Sequence, residues 1–514
     1  MDGRADMKER LRPRDLAFLA TDSPTTPMHN ATLEVFEGGS GFDHARALAL
    51  VEDRISYVPR YRQRLQYVPG QLANPVWVDD TEFDLTYHVR RSALPRPGTM
   101  DQLRELTARI VSRPLDRSRP LWEVYVIEGL EKGRIAILSK SHQILVDGVE
   151  TVDIGQVVLD VDPDQGPLGL DEEWRPRRTP TPTSLILGAI TDNLESPRTL
   201  VQTVRSGAGA VTRRAESVVT RVGQVAGVLS ARRPAVVSPV NGELSQQRRI
   251  VTVATDLADY RTIRRAHQTT VNDVVLATVT GALRGWLMTR DEALYGIRKL
   301  KAIVPMSVID DELEATSLGT QVIGHEVNLP VGEVSPVVRL LQVSYSFNGH
   351  RETGRAVGAQ RLTGIAGFAP TTFHALGSRV AARELRRGFH VSVTNVPGPQ
   401  FPLYAAGAQM LETYPIHPLL PGHALSIGVT SYDGQVFYGI TADRNLVPDA
   451  DILGQCVLET LEELKDTATD VRPRAPRGRK KVAQKPQKKT QQKTQKKAAA
   501  PRDTSSGTKK TEKK

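Results

Sequence analysis

Lys140-Ser141-His142-Gln143-Ile144-Leu145-Val146-Asp147-Gly148 is the segment whose residue types and spacing could do chemistry. His142 is a candidate acid/base, and Asp147 could orient its imidazole across three apolar residues. The same residues also suit a packed histidine beside an Asp-Gly turn, and the segment alone leaves both readings open. Gln143 offers an amide acceptor and an amide donor but takes no proton near neutral pH. Cys456 is the single cysteine, which excludes an intrachain disulfide and a thiolate metal site. His417 and His423 flank Pro418 and Pro421, and their spacing supports no metal site by itself.

These residues need a frame. Trp122–Glu128 and Arg134–Ser139 read as two strands around the turn Glu131-Lys132-Gly133, a hairpin that feeds straight into His142. Helical periodicity runs through Phe42–Tyr57 and Met100–Ser112, with short β-like runs at Thr32–Phe36 and Val76–Val78. Residues 10–180 therefore read as one globular unit. A Pro/Thr/Arg-rich stretch at Pro176–Pro182 leads into Ser184–Arg232, which predicts connecting helices, so 181–237 reads as a linker. A second unit, 238–468, carries expected helices at Val271–Met288, Val337–His350 and Thr372–Leu385. Its expected strands are Leu300–Pro305, His390–Thr394, Ala424–Ser431 and Val436–Thr441. Alternating short strands and helices in both halves predict a mixed α/β fold of two similar layered units.

The charge is uneven. From Val471 to Lys514 there are 17 Lys and Arg against 2 Asp and Glu, a net +15 within a whole-chain +10, so the preceding body is acidic at −5. The stretch 469–514 has no aromatic residue and too little apolar surface to fold alone, which predicts a disordered basic tail. Such a tail suits a solubilising appendage, contact with anionic membrane or lipid-droplet surfaces, or nucleic acid held only non-specifically through phosphates. The apolar runs are too short to span a bilayer and the N-terminus lacks a secretory pattern, so a cytoplasmic protein is expected.

The block Pro114-Leu115-Asp116-Arg117-Ser118-Arg119-Pro120-Leu121-Trp122-Glu123, followed by the His142–Gly148 segment, resembles two signatures of the bacterial wax ester synthase/diacylglycerol acyltransferase family. Asp15–Leu19, Pro27-Met28-His29, Trp77–Asp80, Phe83–Leu85, His88–Arg90, Val240–Gly242, Val271–Val274, Pro305–Ser307, Thr394–Pro399 and Ser431–Gly434 resemble further family stretches in the family's order. The resemblance covers roughly residues 10 to 466. It implies two CoA-dependent-acyltransferase-like domains with a channel between them. Acyl-CoA is the implied co-substrate, with no bound cofactor or metal, and diacylglycerol or a long-chain alcohol is the acceptor. The family's second signature histidine is a general base that takes the hydroxyl proton as oxygen attacks the thioester. Its aspartate and glycine, matched by Asp147 and Gly148, hold the loop. Asn272 and Asp273 match a family Asn-Asp pair near the site, although helix capping accounts for them equally well.

The departure is at the base. Counted back from Asp147, the base position holds Gln143, and His142 matches the first, non-base histidine. Adjacent residues on an extended segment point to opposite faces, so His142 needs a backbone adjustment or a water to stand in. The expected protein is an acyltransferase impaired by that change, with His142 as the remaining acid/base. The rival reading is a catalytically silent paralogue that binds acyl lipid or acyl-CoA.

Overall fold

The structure is a computed structural model. It describes residues 9–39, 41–145, 153–164, 166, 174–195, 238–290, 299–309, 320–351, 382 and 388–469. Asp147, Gly148, the expected helix at Thr372–Leu385 apart from residue 382, most of the linker and the Lys-rich tail lie outside the described residues.

The first half is built around β1 (His29–Phe36), buried at every position. The chain then forms α2 (His44–Arg54), β2 (Val89–Ala93), α3 (Met100–Val111), β3 (Trp122–Glu128) and β4 (Ile135–His142). A short helix α1 (Pro13–Thr21) precedes β1, α4 (Ile154–Val157) follows β4, and α5 (Pro182–Glu195) opens the linker. The Trp122–Glu128/Arg134–Ser139 hairpin is as expected: β3 and β4 pair antiparallel, with Trp122 opposite Ser141. Helix α3 starts where Thr99 and Gln102 cap each other reciprocally. It buries Leu103, Thr107, Ile110 and Val111, the inner stripe of an amphipathic helix.

The second half has β5 (Arg248–Asp256), α6 (Leu257–His267), α7 (Val271–Thr289), β6 (Leu300–Ile309), β7 (Thr320–Leu329) and α8 (Pro336–Arg351). These are followed by β8 (Val391–Pro397), β9 (Tyr404–Ala405), β10 (Ala408–Ile416), β11 (Leu425–Tyr432), β12 (Gln435–Asp443) and α9 (Ala450–Ala468). Among the described residues its sheet runs in the order β5-β12-β11-β8-β6-β7. Helix α7 is apolar nearly all round and buried accordingly. Gly281 of α7 lets α9 come close, since a Cβ there would collide with Thr460.

The sheet of the first half runs β9-β10-β1-β4-β3-β2. Strands β9 and β10 come from the C-terminal half, and β10 pairs antiparallel with β1 through Ala31 and Ile416. The core around β1 accordingly continues into Ile250, Ile303, Tyr432 and Phe437 of the second half. The sequence pattern did not reveal β5, β7, β10 or α9. The crossing strand β10 alternates weakly, because it is covered on both faces near its end and exposed in its middle.

Candidate active site

Strand β4 ends at His142, whose backbone N–H donates to Leu121 O at 2.9 Å. The chain then tightens into a single 3₁₀ turn, Gln143–Leu145. His142 lies opposite His29 of β1, so the two imidazoles share a sheet face. Gln143 points the other way. Its N–H donates to Met28 O at 3.0 Å, and its side-chain Nε2 donates to Asn30 Oδ1 at 3.2 Å. Both side chains are buried. The expectation that neighbouring residues here serve opposite faces holds, and the turn does not bring His142 round to the position of Gln143.

The ring of His142 is held by a hydrogen bond at Nδ1 and faces a carboxylate with Nε2. Ile144 N–H donates to Nδ1 at 3.2 Å, which makes Nδ1 the lone-pair nitrogen and leaves the proton on Nε2. Nε2 faces Asp22 Oδ2 at 3.7 Å. Asp22, just past the end of α1, is a hub. Its Oδ1 accepts Met28 N–H at 2.9 Å, and its Oδ2 accepts Arg117 Nη2 at 2.8 Å. Arg117 also donates to the Leu19 and Asp22 carbonyls, each at 2.9 Å. Burial pushes the Asp22 carboxyl up, but His142, the Met28 N–H and Arg117 outweigh it and hold the group well below the usual carboxylate range. Arg117 belongs to the Pro114–Glu123 block, so that block anchors the histidine rather than lying apart from it.

The same face continues along the strands. His29 Nε2 donates to Val111 O at 2.9 Å, and burial, then the charge of Lys140, pushes its pKa far down. Lys140 is buried and donates to Arg113 O at 2.7 Å and Ile110 O at 3.3 Å. It also lies 3.4 Å from Glu123, which pairs with Arg90 at 3.0 Å. The end of α3 thus supplies the carbonyls that satisfy the polar groups behind the site. Pro27, His29 and Val111 meet Arg248, His417 and Thr441 around a narrow gap of about 10 Å³ between the two halves, which neither His142 nor Gln143 lines.

The opposite face holds buried acids. Ser141 Oγ donates to Asp153 Oδ2 at 3.1 Å, and Gly155 N–H donates to Asp153 Oδ1 at 3.0 Å. Burial raises the Asp153 carboxyl. Glu34, 1% exposed, is pushed up to about 8 by burial and by the nearby Asp153.

Asn272 and Asp273 open α7. Asp273 and Thr270 form a reciprocal cap, and Ser344 Oγ donates to Asp273 Oδ2 at 3.0 Å. Asn272 Oδ1 accepts from Asn395 Nδ2 of β8 at 3.0 Å. Among the described residues, neither bonds to the His142–Gln143 turn. Nothing in the sequence pattern singles out Asp22, Asn30, Glu34 or Asp153. Only Arg117 carries a signal, as a cation in a motif that needs an anionic partner.

Residues 11–275 match the model of the wax ester synthase/diacylglycerol acyltransferase catalytic domain, and residues 318–465 match that of the family's C-terminal domain. The chain belongs to the wax ester synthase/diacylglycerol acyltransferase family. The Mycobacterium tuberculosis protein named probable diacylglycerol O-acyltransferase Tgs3 is 44% identical over 50% of this chain and 96% of its own length. The one named Tgs1 from the same species is 33% identical over 84% of this chain and 90% of its own. The solved wax ester synthase/diacylglycerol acyltransferase from Marinobacter aquaeolei VT8 superposes with a TM-score of 0.62 and 27% identity. It covers 90% of this chain and all of that one. The fold is therefore the expected mixed α/β pair of acyltransferase-like halves. Within this family member, the turn after β4 carries a neutral amide at its first position, Gln143, bonded to Asn30.

Proposed function

We propose that this chain transfers a fatty acyl group from acyl-CoA to the hydroxyl of diacylglycerol or a long-chain alcohol, giving triacylglycerol or wax ester. Family membership over both halves carries the reading, and the anchored His142–Gln143 turn at the end of β4 supports it. The acceptor oxygen attacks the thioester carbonyl, the C–S bond breaks, and the hydroxyl proton ends on the thiolate sulfur. Gln143 sits where the resemblance places the base and cannot carry that proton, so its role is to position the acceptor or the thioester oxygen. His142 is the remaining acid/base. Its lone pair lies on Nδ1, so it acts only when the Ile144 N–H bond opens, a cost that keeps the rate low. Asp147 and Gly148 shape the loop that follows. Asn272, through Asn395, fixes the start of α7, and Asp273 caps it. Residues 10–180 and 238–468 act as the two units, joined by 181–237. The Lys-rich tail contacts anionic lipid.

The test is the purified full chain with palmitoyl-CoA and either diacylglycerol or hexadecanol, following CoA release and ester formation. Turnover that is lost in His142→Ala supports the reading. Acyl-CoA binding without turnover in the wild type would return the protein to the lipid-binding alternative.

A further inference from the structure

The sheet face that carries Gln143 is lined with polar groups that the fold itself does not satisfy. Asn30, Thr32 and Glu34 alternate with Ala31 and Leu33 along β1, so they share one face in steps of about 6.6 Å. Ser141 stands opposite Asn30, and Ser139 opposite Thr32, which adds both hydroxyls to that face. Trp122 joins them from β3, opposite Ser141, and its Nε1 donates to Tyr61 O at 2.7 Å. The start of α4 closes over the row. Asp153 takes the Ser141 hydroxyl at 3.1 Å, and Gly155 comes near enough to Ser139 that a Cβ on it would stand 3.4 Å from Oγ.

Three atoms in this row have no hydrogen-bond partner among the described residues: Asn30 Nδ2, Ser139 Oγ and Glu34 Oε2. Asn30 is 7% exposed, Ser139 4% and Glu34 1%, so bulk water does not answer them. Buried polar groups are nearly always paired, because one left unpaired costs its full desolvation. Three on the face of the reacting turn point to a ligand. Their chemistry is alike. The Asn30 amide nitrogen and the Ser139 hydroxyl donate, and Glu34 donates as an acid, since burial and the nearby Asp153 keep it protonated at neutral pH. The other carboxyl, Asp153, is already engaged by Ser141 Oγ and Gly155 N–H. A row of donors fits oxygens that only accept, such as ester carbonyls. Asn30 is bonded to Gln143, and Ser139 and Glu34 recede from it along the strands. An acceptor whose hydroxyl lies at Gln143 meets these donors with the part of the molecule behind that hydroxyl.

We propose that Asn30, Ser139 and Glu34 recognise ester carbonyl oxygens of the acceptor alcohol and so determine which acceptor is taken. Assigning the carbonyls to an acceptor rests on the proposed acyl transfer, whereas binding through the donor row needs no turnover. An alcohol with the same chains but no carbonyl leaves the donors unpaired, and a site built to bond an oxygen rejects the analogue that lacks it.

The experiment compares 1,2-dioctanoylglycerol with 1,2-dioctylglycerol, the diether that has the same hydroxyl and chain length but no carbonyl. Binding to the full-length protein without acyl-CoA is followed by tryptophan fluorescence, since Trp122 borders the row, and kcat/KM is measured with palmitoyl-CoA. Wild type should favour the diester by about tenfold or more in both. Ser139→Ala and Glu34→Leu should each cut that preference about three- to tenfold, the worth of one hydrogen bond, while Glu34→Gln keeps a donor and retains it. Thermal midpoints establish that each variant is folded, and the two sites test the row independently. Equal affinity of wild type for diester and diether overturns the proposal whatever the turnover. So does a preference that persists in both Ser139→Ala and Glu34→Leu, which would make the row purely structural. Diester-selective binding with no CoA release on any acceptor supports the donor row and defeats the proposed acyl transfer instead.

Discussion

Glu34→Gln should stabilise the protein at alkaline pH, with an effect that grows as the pH rises from 5 to 8.5. Glu34 sits on β1 between Ile137 of β4 and Thr413 of β10, and its Oε2 has no hydrogen-bond partner among the described residues. Its carboxyl is pushed up to about 8 from an ordinary 4.5. The groups facing it are Asp153 at the start of α4 and Tyr432 of β11, and neither supplies a positive charge. Below pH 4.5 the folded and unfolded chains both hold the proton, and the site costs nothing. Between 4.5 and 8 the unfolded chain releases the proton while the folded chain keeps it, so stability falls throughout that window. Over 3.5 pH units at about 1.36 kcal/mol each, the full cost is roughly 5 kcal/mol. Glutamine keeps the shape and cannot ionise, so it escapes this loss, although its own buried amide offsets about 1–3 kcal/mol of the gain. Relative to wild type, the variant should be about 0–2 kcal/mol less stable at pH 5 and about 2–4 kcal/mol more stable at pH 8.5. Urea unfolding followed by tryptophan fluorescence at pH 5, 7 and 8.5 measures it. A difference between the two proteins that stays constant from pH 5 to 8.5 would show that Glu34 does not change its proton affinity on folding, and the account of this sheet face would be wrong.

Asp22→Asn removes the anion that holds Arg117 and faces His142; stability should drop by about 1.5–3 kcal/mol at pH 7. Because folding lowers the Asp22 pKa, its contribution is present above the unfolded value and lost as pH falls through the lower folded one. The wild-type and Asn proteins should therefore converge in urea titrations carried well below pH 4. Gln143→His restores a titratable base at the turn and should raise kcat by about 10²-fold, with a new limb in the pH–rate profile near pH 6–7; an unchanged rate would mean this position does not limit transfer. Gly439→Ala places a Cβ against Pro415 O where β10 crosses β12, and should lower stability by about 1–3 kcal/mol in thermal unfolding.

Much of the frame is legible in the residue pattern itself. The β3–β4 hairpin announces itself through two β-rich runs around Glu131-Lys132-Gly133, and it delivers His142 as expected. Helices α3, α7 and α8 follow from their periodicity. Strand β10 is hidden, because its pairing with β1 joins residues almost 400 positions apart and leaves no local trace. The site is legible only in part. His142 and Gln143 stand out as a pair, but Asp22 is one aspartate in a turn-rich stretch, and nothing local marks it as the partner of Arg117. Glu34 sits in a run that reads as an ordinary strand and Asn30 lies just before it, yet both side chains are buried.

Those buried polar residues bear on how the glutamine is accommodated. An imidazole at position 143 would present one donor and one acceptor, whereas an amide presents two of each and is costly to bury unpaired. Asn30 answers that need from the facing strand, with its Oδ1 taking the Gln143 amide proton at 3.2 Å. Meanwhile Arg117, Asp22 and the Ile144 N–H keep His142 turned to the other face, so the two side chains of the turn are held by separate networks on opposite sides of one sheet. Changing Gln143 therefore perturbs Asn30 without disturbing the His142 anchor, and changing Asp22 does the reverse. Substitutions in the two networks should be close to additive in stability. Only acyl transfer, which needs the whole turn, should show coupling between them.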